Sequence, residues 1–244
     1  MVKVVFLGVG GWVSEPYLGH TSILIQYSNK AILIDVGEGT YRALKYCGYD
    51  LNFIEGLVIT HRHGDHILGL PTIVLMALYK GINRIRVVAN DDVISASEAL
   101  FSSIGLRHLI NSIEFIKAHP YKVTELGPFK MRFIEARHTV PALSVRIDVD
   151  NKCIAYSGDT TYNPKLAEFI QNCDVLIHEV SNYSTNAYLY GHSNYMEALD
   201  IASKANVKIF VPIHFYQQPL PIDVSMLSQK IKLFVPLPCS QLDI

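Results

Sequence analysis

The stretch Thr60-His61-Arg62-His63-Gly64-Asp65-His66 packs three histidines and an aspartate into the pattern H-x-H-x-D-H. It follows the apolar run Gly56-Leu57-Val58-Ile59-Thr60, which reads as a buried strand, and precedes residues 67–79, which read as an apolar helix. Imidazole nitrogens and a hard carboxylate oxygen crowded onto one turn are the donor set of a borderline divalent metal such as zinc. The chain holds ten histidines in 244 residues, so three within one short turn mark a site rather than a polar loop.

Half of the residues are hydrophobic and the mean hydropathy is +0.22, which points to sheets covered on both faces. A chain this long buries roughly 70–75% of its unfolded surface and needs no disulfide staples. Formal net charge is −1, so the total charge carries no nucleic-acid footprint. Cys47, Cys153, Cys173 and Cys239 are scattered and form no C-x-x-C, which reads as four reduced, structural cysteines. No apolar stretch reaches the about 18–20 residues of a membrane span. The start, residues 1–8 running into Gly10, Gly11 and Trp12, reads as a strand entering a glycine loop rather than a signal peptide. The expected location is cytoplasmic.

Strands are expected at 2–8, 21–27, 31–36, 56–60 and 85–89, then at 112–118, 121–125, 129–136, 142–149, 152–157, 173–179 and 208–214, with 232–236 extended. Helices are expected at 40–47, from 67 to about 80, from a cap at Asp91 or Asp92 to about 101, and at 164–170, 194–205 and 222–231. Strands at short spacing, with helices between them towards both ends of the chain, imply an α+β fold of two packed sheets with helices outside. No linker or repeat interrupts it, so residues 1–244 read as a single domain.

Other apolar runs also end in metal-competent residues. His138 closes one, Asp159 follows another in Ser157-Gly158-Asp159-Thr160, His178 and Glu179 end a third, and His214 ends a fourth. His192 lies in Gly191-His192-Ser193. A site built from strand ends needs this placement, because strands are rigid and the loops above them are free.

With Phe6-Leu7-Gly8, Ile34-Asp35-Val36-Gly37-Glu38-Gly39-Thr40, Gly69-Leu70-Pro71 and His138 with Pro141, these pieces run in order along nearly the whole chain. In that order they resemble the metallo-β-lactamase-fold hydrolases, and within them ribonuclease Z, the endonuclease that trims tRNA 3′ ends. The resemblance implies a four-layer αββα sandwich holding two zinc ions, although manganese or iron can use the same ligands. It assigns His61, His63 and His138 to one metal, Asp65, His66 and His214 to the other, and Asp159 to both. It implies that metal-activated water attacks a phosphodiester, with Asp65 orienting or deprotonating the water. His192, held and kept cationic by Glu179, would protonate the leaving oxygen. Asp35 would accept a hydrogen bond from a ligand imidazole. A homodimer is implied as well. The long tRNA-gripping arm of ribonuclease Z is absent, because residues 139–158 between His138 and Asp159 hold only a hairpin. The substrate therefore stays open between a tRNA precursor and a smaller phosphodiester. Hydrolysis of small esters, lactones, thioesters or aryl sulfates on the same fold is an alternative. A non-catalytic, metal-stabilised binding subunit is another. Tyr183, Tyr188 and Tyr190 could line an apolar pocket, and Phe215, Tyr216 and Gln217 lie near the expected site.

Overall fold

A computed structural model describes residues 1–181, 183–216 and 230–244. The first sheet runs in the order β14-β1-β2-β3-β4-β5-β6. Its strands are β1 (Val2–Gly8), β2 (Ser22–Tyr27), β3 (Lys30–Ile34), β4 (Ile54–Val58), β5 (Ile85–Ala89), β6 (Ile113–Lys117) and the C-terminal β14 (Gln241–Asp243). The second runs β13-β12-β11-β10-β9-β8-β7. It comprises β7 (Thr124–Leu126), β8 (Phe129–Glu135), β9 (Leu143–Val149), β10 (Lys152–Tyr156), β11 (Val175–Glu179), β12 (Ile209–Ile213) and β13 (Lys232–Leu233). Helices α1 (Thr40–Tyr46), α2 (Gly64–Ile67), α3 (Leu70–Tyr79) and α4 (Asp91–Ser103) follow strands of the first sheet. Helices α5 (Pro164–Phe169) and α6 (Tyr195–Lys204) belong to the second. This is the α+β sandwich expected from the sequence.

The alternation along β1 shows why so many strands are apolar throughout. Val2, Val4 and Phe6 enter the core between the sheets, with Phe129, Phe133, Tyr156 and Phe210. Val5 and Leu7 point the other way, into a second core beneath the outer helices with Leu44, Leu70, Ile73 and Phe101. Ile23 and Ile25 against Leu24, and Ile32 and Ile34 against Leu33, repeat the division on β2 and β3. These three strands are covered on both faces, as their composition requires.

The structure departs from the sequence reading at several points. The helix expected from 67 to about 80 is broken into α2 and α3. Gly69 lies against the backbone of the Val36–Gly37 loop, where a Cβ would come within 2.3 Å of the Gly37 carbonyl oxygen, and Pro71 opens α3. The cap of α4 is Asn90, not Asp91 or Asp92, because the Asn90 side chain accepts from the Val93 N–H at 2.9 Å. The four cysteines are not free. Cys47 pairs with Cys239 and Cys153 with Cys173, with Cα separations of 5.2 and 4.7 Å. Tertiary proximity makes these pairs, and sequence spacing does not reveal it. The helix expected at 222–231 and Gln217 lie outside the described residues, apart from the last two positions of that helix. The interval between His138 and Asp159 is filled by the β9–β10 hairpin, turned at Asp150 and Asn151 with φ of 50° and 58°. Among the described residues, no helix is long and apolar enough to cross a membrane.

Candidate metal centre

Six strand ends deliver the candidate residues to one edge of the sandwich. Asp35 follows β3, and the chain leaving β4 carries Thr60, His61, His63, Asp65 and His66 into α2. His138 lies beyond β8, Asp159 beyond β10, Glu179 ends β11, and His214 follows β12. Asp35 and His214 hold left-handed backbones, with φ of 54° and 66°. A non-glycine residue in that region costs roughly 1–3 kcal/mol, and such strain collects at functional sites.

Two groups of donors result. His61, His63, His138 and Asp159 form one, and Asp65, His66, Asp159 and His214 form the other, the donor atoms of each lying within 4.8 Å of one another. Asp159 belongs to both. Its Oδ2 is 3.6 Å from His61 Nε2 and 3.2 Å from His214 Nε2, and its Oδ1 is 3.4 Å from His66 Nε2. Asp65 Oδ2 is 3.1 Å from His214 Nε2 and 3.3 Å from His66 Nε2. His61, Asp65, His66, Asp159 and His214 are all buried.

The donor set fits a pair of divalent ions. His61 Nε2, His66 Nε2 and Asp159 Oδ1 are buried without a hydrogen-bond partner. Orphaned polar atoms are rare in protein interiors, and here they converge on common points. The imidazoles are also held from behind. His66 Nδ1 donates to Asp35 Oδ2 at 2.7 Å, and His138 Nδ1 to the Gly191 carbonyl at 2.8 Å. Asp35 also accepts from the Thr60 backbone N–H at 2.8 Å and from the Thr60 hydroxyl at 2.8 Å. The same hydroxyl lies 3.1 Å from His61 Nδ1. Metal-binding histidines characteristically have such support, which fixes the tautomer and the ring orientation.

Electrostatics follow the same geometry. Burial pushes His214 down, but the Asp159 and Asp65 carboxylates overcome it and raise it to about 10. His66 is likewise raised well above its ordinary value, against burial, by Asp159, Asp65 and Asp35. Burial raises Asp65, yet His66 and His214 hold it below the usual carboxylate range. His61 is pushed well down by burial and by His66. The centre thus divides: the imidazoles of His66 and His214, facing Asp65 and Asp159, are raised, whereas those of His61, His63 and His138 are lowered, first by burial.

Glu179 and His192 sit beside the two groups. Glu179 Oε1 accepts from His192 Nδ1 at 3.1 Å and from the backbone N–H groups of Thr160 and Ser193 at 3.0 and 3.1 Å. His192 Nδ1 is 3.8 Å from Asp159 Oδ2. The neighbouring His178 does not join. It is buried away from the groups, bonded to the Glu179 carbonyl at 2.7 Å, and lowered to about 4 by burial. Tyr216 approaches the His192 and His214 rings, with centroids 6.0 and 5.9 Å apart, and burial raises its hydroxyl to about 12. Tyr188 and Tyr190 are exposed.

Sequence reasoning missed two contributors. Thr60 was visible only as the last residue of a strand. Gly11 was read as part of a loop, yet a Cβ there would come within 2.5 Å of the His214 ring, so only glycine lets the 8–12 loop cross the centre. The glycine-rich sequence of that loop was the available signal.

The fold and site define a protein of the metallo-β-lactamase class, the fold of metal-dependent hydrolases. The chain belongs to the family described as Anti-Pycsar protein Apyc1, whose model matches residues 2–232. It is similar to Ribonuclease Z of Sulfolobus acidocaldarius, at 29% identity over 98% of both chains. It is also similar to Ribonuclease Z of Picrophilus torridus, at 27% identity over 87% of this chain and 85% of that one. Among solved structures, it superposes on the metallo-beta-lactamase fold protein YhfI from Bacillus subtilis with a TM-score of 0.85, at 19% identity with both chains fully covered. A diphosphatase from the PhnP family gives a TM-score of 0.81, at 22% identity over 100% of this chain and 98% of that one.

Proposed function

We propose that residues 1–244 form one hydrolase domain, a dinuclear metal-dependent phosphodiesterase of the ribonuclease Z type acting on a small phosphodiester. The observation that carries this reading is the pair of donor groups joined by Asp159, each with orphaned buried nitrogens. His61, His63 and His138 would hold one ion, Asp65, His66 and His214 the other, with Asp159 shared. Two zinc ions suit the His and Asp donors, and manganese or iron accept the same set. Such a pair, when bound, lowers the pKa of a shared water and neutralises charge growing on phosphate oxygens.

The chain's own residues supply the rest. Asp65 orients the attacking water and accepts its proton. His192 donates a proton to the departing alkoxide oxygen, and Glu179 fixes the His192 ring through Nδ1. Asp35 and Thr60 hold the imidazoles against rotation.

A small diester is favoured over a folded RNA by two features. The β9–β10 hairpin occupies the interval where ribonuclease Z carries its arm, and the net charge of −1 provides no broad phosphate-neutralising field. The Ribonuclease Z relatives make a tRNA precursor the natural competitor.

The test is hydrolysis of bis(p-nitrophenyl) phosphate beside a tRNA precursor with a 3′ trailer, with zinc or manganese, and with Asp65→Ala as control. Turnover of the small diester alone, lost in the variant, is the expected result. Cleavage at the trailer junction would return the assignment to tRNA processing. Inertness towards both would end the phosphodiesterase reading.

A further inference from the structure

Glu179, His192 and His214 form a third group of metal-competent donors beside the two already described, with donor atoms also within 4.8 Å of one another. Their exposures are 0%, 9% and 1%. Glu179 Oε2 and His214 Nδ1 are buried and have no hydrogen-bond partner among the described residues. A carboxylate oxygen buried with no donor against it is costly unless a cation meets it.

The segments that present these side chains are locked together. Glu179 ends β11 and pairs with Ile213 of β12, the residue before His214. The Val180 N–H donates to the Ile213 carbonyl at 2.9 Å, and the Ser181 N–H to the Ser193 carbonyl at 2.7 Å. The Ser193 hydroxyl donates to the Thr160 carbonyl at 2.7 Å. The donors are therefore preorganised. His192 Nδ1 and Glu179 Oε1 stand 3.1 Å apart. Ligands of one tetrahedral zinc ion, each roughly 2.0–2.2 Å from the metal, stand about 3.3 Å from one another. Two imidazoles and a carboxylate, with a fourth position left to water, are a donor set that zinc accepts. The Tyr216 ring packs edge-on against both imidazoles.

His214 belongs to this group and to that of Asp65, His66 and Asp159. A neutral imidazole has one free lone pair, because its other nitrogen carries the proton. His214 therefore serves one ion at a time, and an ion beside Glu179 and His192 withdraws a donor from the second ion of the centre. Ligation also requires His192 to be neutral, whereas proton donation to a leaving group requires it cationic.

We infer that Glu179, His192 and His214 form a third, inhibitory cation position, filled by zinc in excess of the two ions of the centre. The inhibition rests on the phosphodiesterase reading; the position itself rests on the three donors and their burial.

The test dialyses metal-free protein against graded zinc and counts the bound ions. Two are expected to bind first and a third at higher concentration. Glu179→Gln keeps an acceptor for the Thr160 and Ser193 N–H groups but withdraws the charge. This variant and His192→Asn should each weaken the third ion by more than about tenfold, the least effect seen when an outer partner of a metal site is lost. Both should still bind two ions, which shows that they fold. With bis(p-nitrophenyl) phosphate, zinc beyond two equivalents should inhibit the unaltered protein over the range that fills the third position. The residual activity of Glu179→Gln should resist the same zinc. A third ion held equally by the variants would belong to surface histidines and overturn the position, as would saturation of the unaltered protein at two. A third ion that binds without slowing turnover would overturn its inhibitory role. If the unaltered protein hydrolysed no diester, the phosphodiesterase reading would fail, while the ion count would still decide the third position.

Discussion

The hydroxyl of Thr60 touches both halves of the centre: it donates to the Asp35 carboxylate at 2.8 Å and lies 3.1 Å from His61 Nδ1. Asp35 in turn holds His66. One buried hydroxyl thus couples an imidazole of the first group to the support of an imidazole of the second. Removing it by Thr60→Val keeps shape and burial but frees the His61 ring and leaves Asp35 with one partner fewer. Zinc affinity is expected to fall about 10–100-fold, as with loss of other outer contacts to metal-binding histidines. Thr60→Ser should restore it. Competition titration with a chromophoric chelator reads this without any turnover, and unchanged affinity in Thr60→Val would remove Thr60 from the network.

Metal uptake should be driven by rising pH. In the metal-free centre His66 is raised well above its ordinary value and His214 to about 10, with Asp159 and Asp65 outweighing burial. Both must be neutral to bind a metal, so protons compete with it. Filling the second position at pH 7 should release the proton held by His214, and apparent affinity should strengthen with pH until His214 loses its proton near 10. Calorimetry in buffers of different ionisation enthalpy counts the protons. Uptake with no proton release would show that the two imidazoles are neutral before the metal arrives.

If His192 protonates the leaving oxygen, its loss should matter in proportion to how much that oxygen needs a proton. A p-nitrophenolate leaves readily as an anion, whereas a sugar alkoxide does not. His192→Ala should therefore lower kcat by roughly 10²–10⁴-fold for an alkoxide leaving group and far less for p-nitrophenolate. Glu179→Gln keeps the shape that meets the Thr160 and Ser193 N–H groups and should show the same pattern more weakly. Equal losses on both leaving groups would instead make the pair a support of the centre.

The order of elements and the donor residues were legible because both rest on local signals. Apolar runs such as Ile154-Ala155-Tyr156 and Val175-Leu176-Ile177 can only be buried strands, and each polar residue that follows one emerges at the same edge. Contacts across the fold left no such trace. Nothing around Cys47 and Cys239 announces a pairing over 192 positions, and the division of residues 67–79 into two helices depends on Gly69 meeting the backbone of Gly37. His178 shows the converse failure. It ends an apolar run as convincingly as His214 does, but alternation along β11 turns it to the opposite face from Glu179.

The Cys47–Cys239 bond should contribute measurably to stability, because of where it lies. Cys47 closes α1, and Cys239 precedes β14, the edge strand that pairs with β1. Cys239 itself donates to the Phe6 carbonyl at 2.7 Å. The bond fastens the C-terminal strand to a helix over the first sheet and closes a loop of 192 positions in the unfolded chain. Cross-links over long loops typically stabilise by about 2–4 kcal/mol, mainly by restricting the unfolded ensemble. For a chain of this size that corresponds to a Tm shift of roughly 5–15 °C. Cys47→Ser and dithiothreitol should each lower Tm within that range, and the reductant should lower it further in the variant only through Cys153–Cys173. Dithiothreitol also binds zinc, so the comparison belongs on metal-free protein. An unchanged Tm in Cys47→Ser would mean that strand pairing alone, Lys3 with Asp243 through Val5 with Gln241, holds the C-terminus in place.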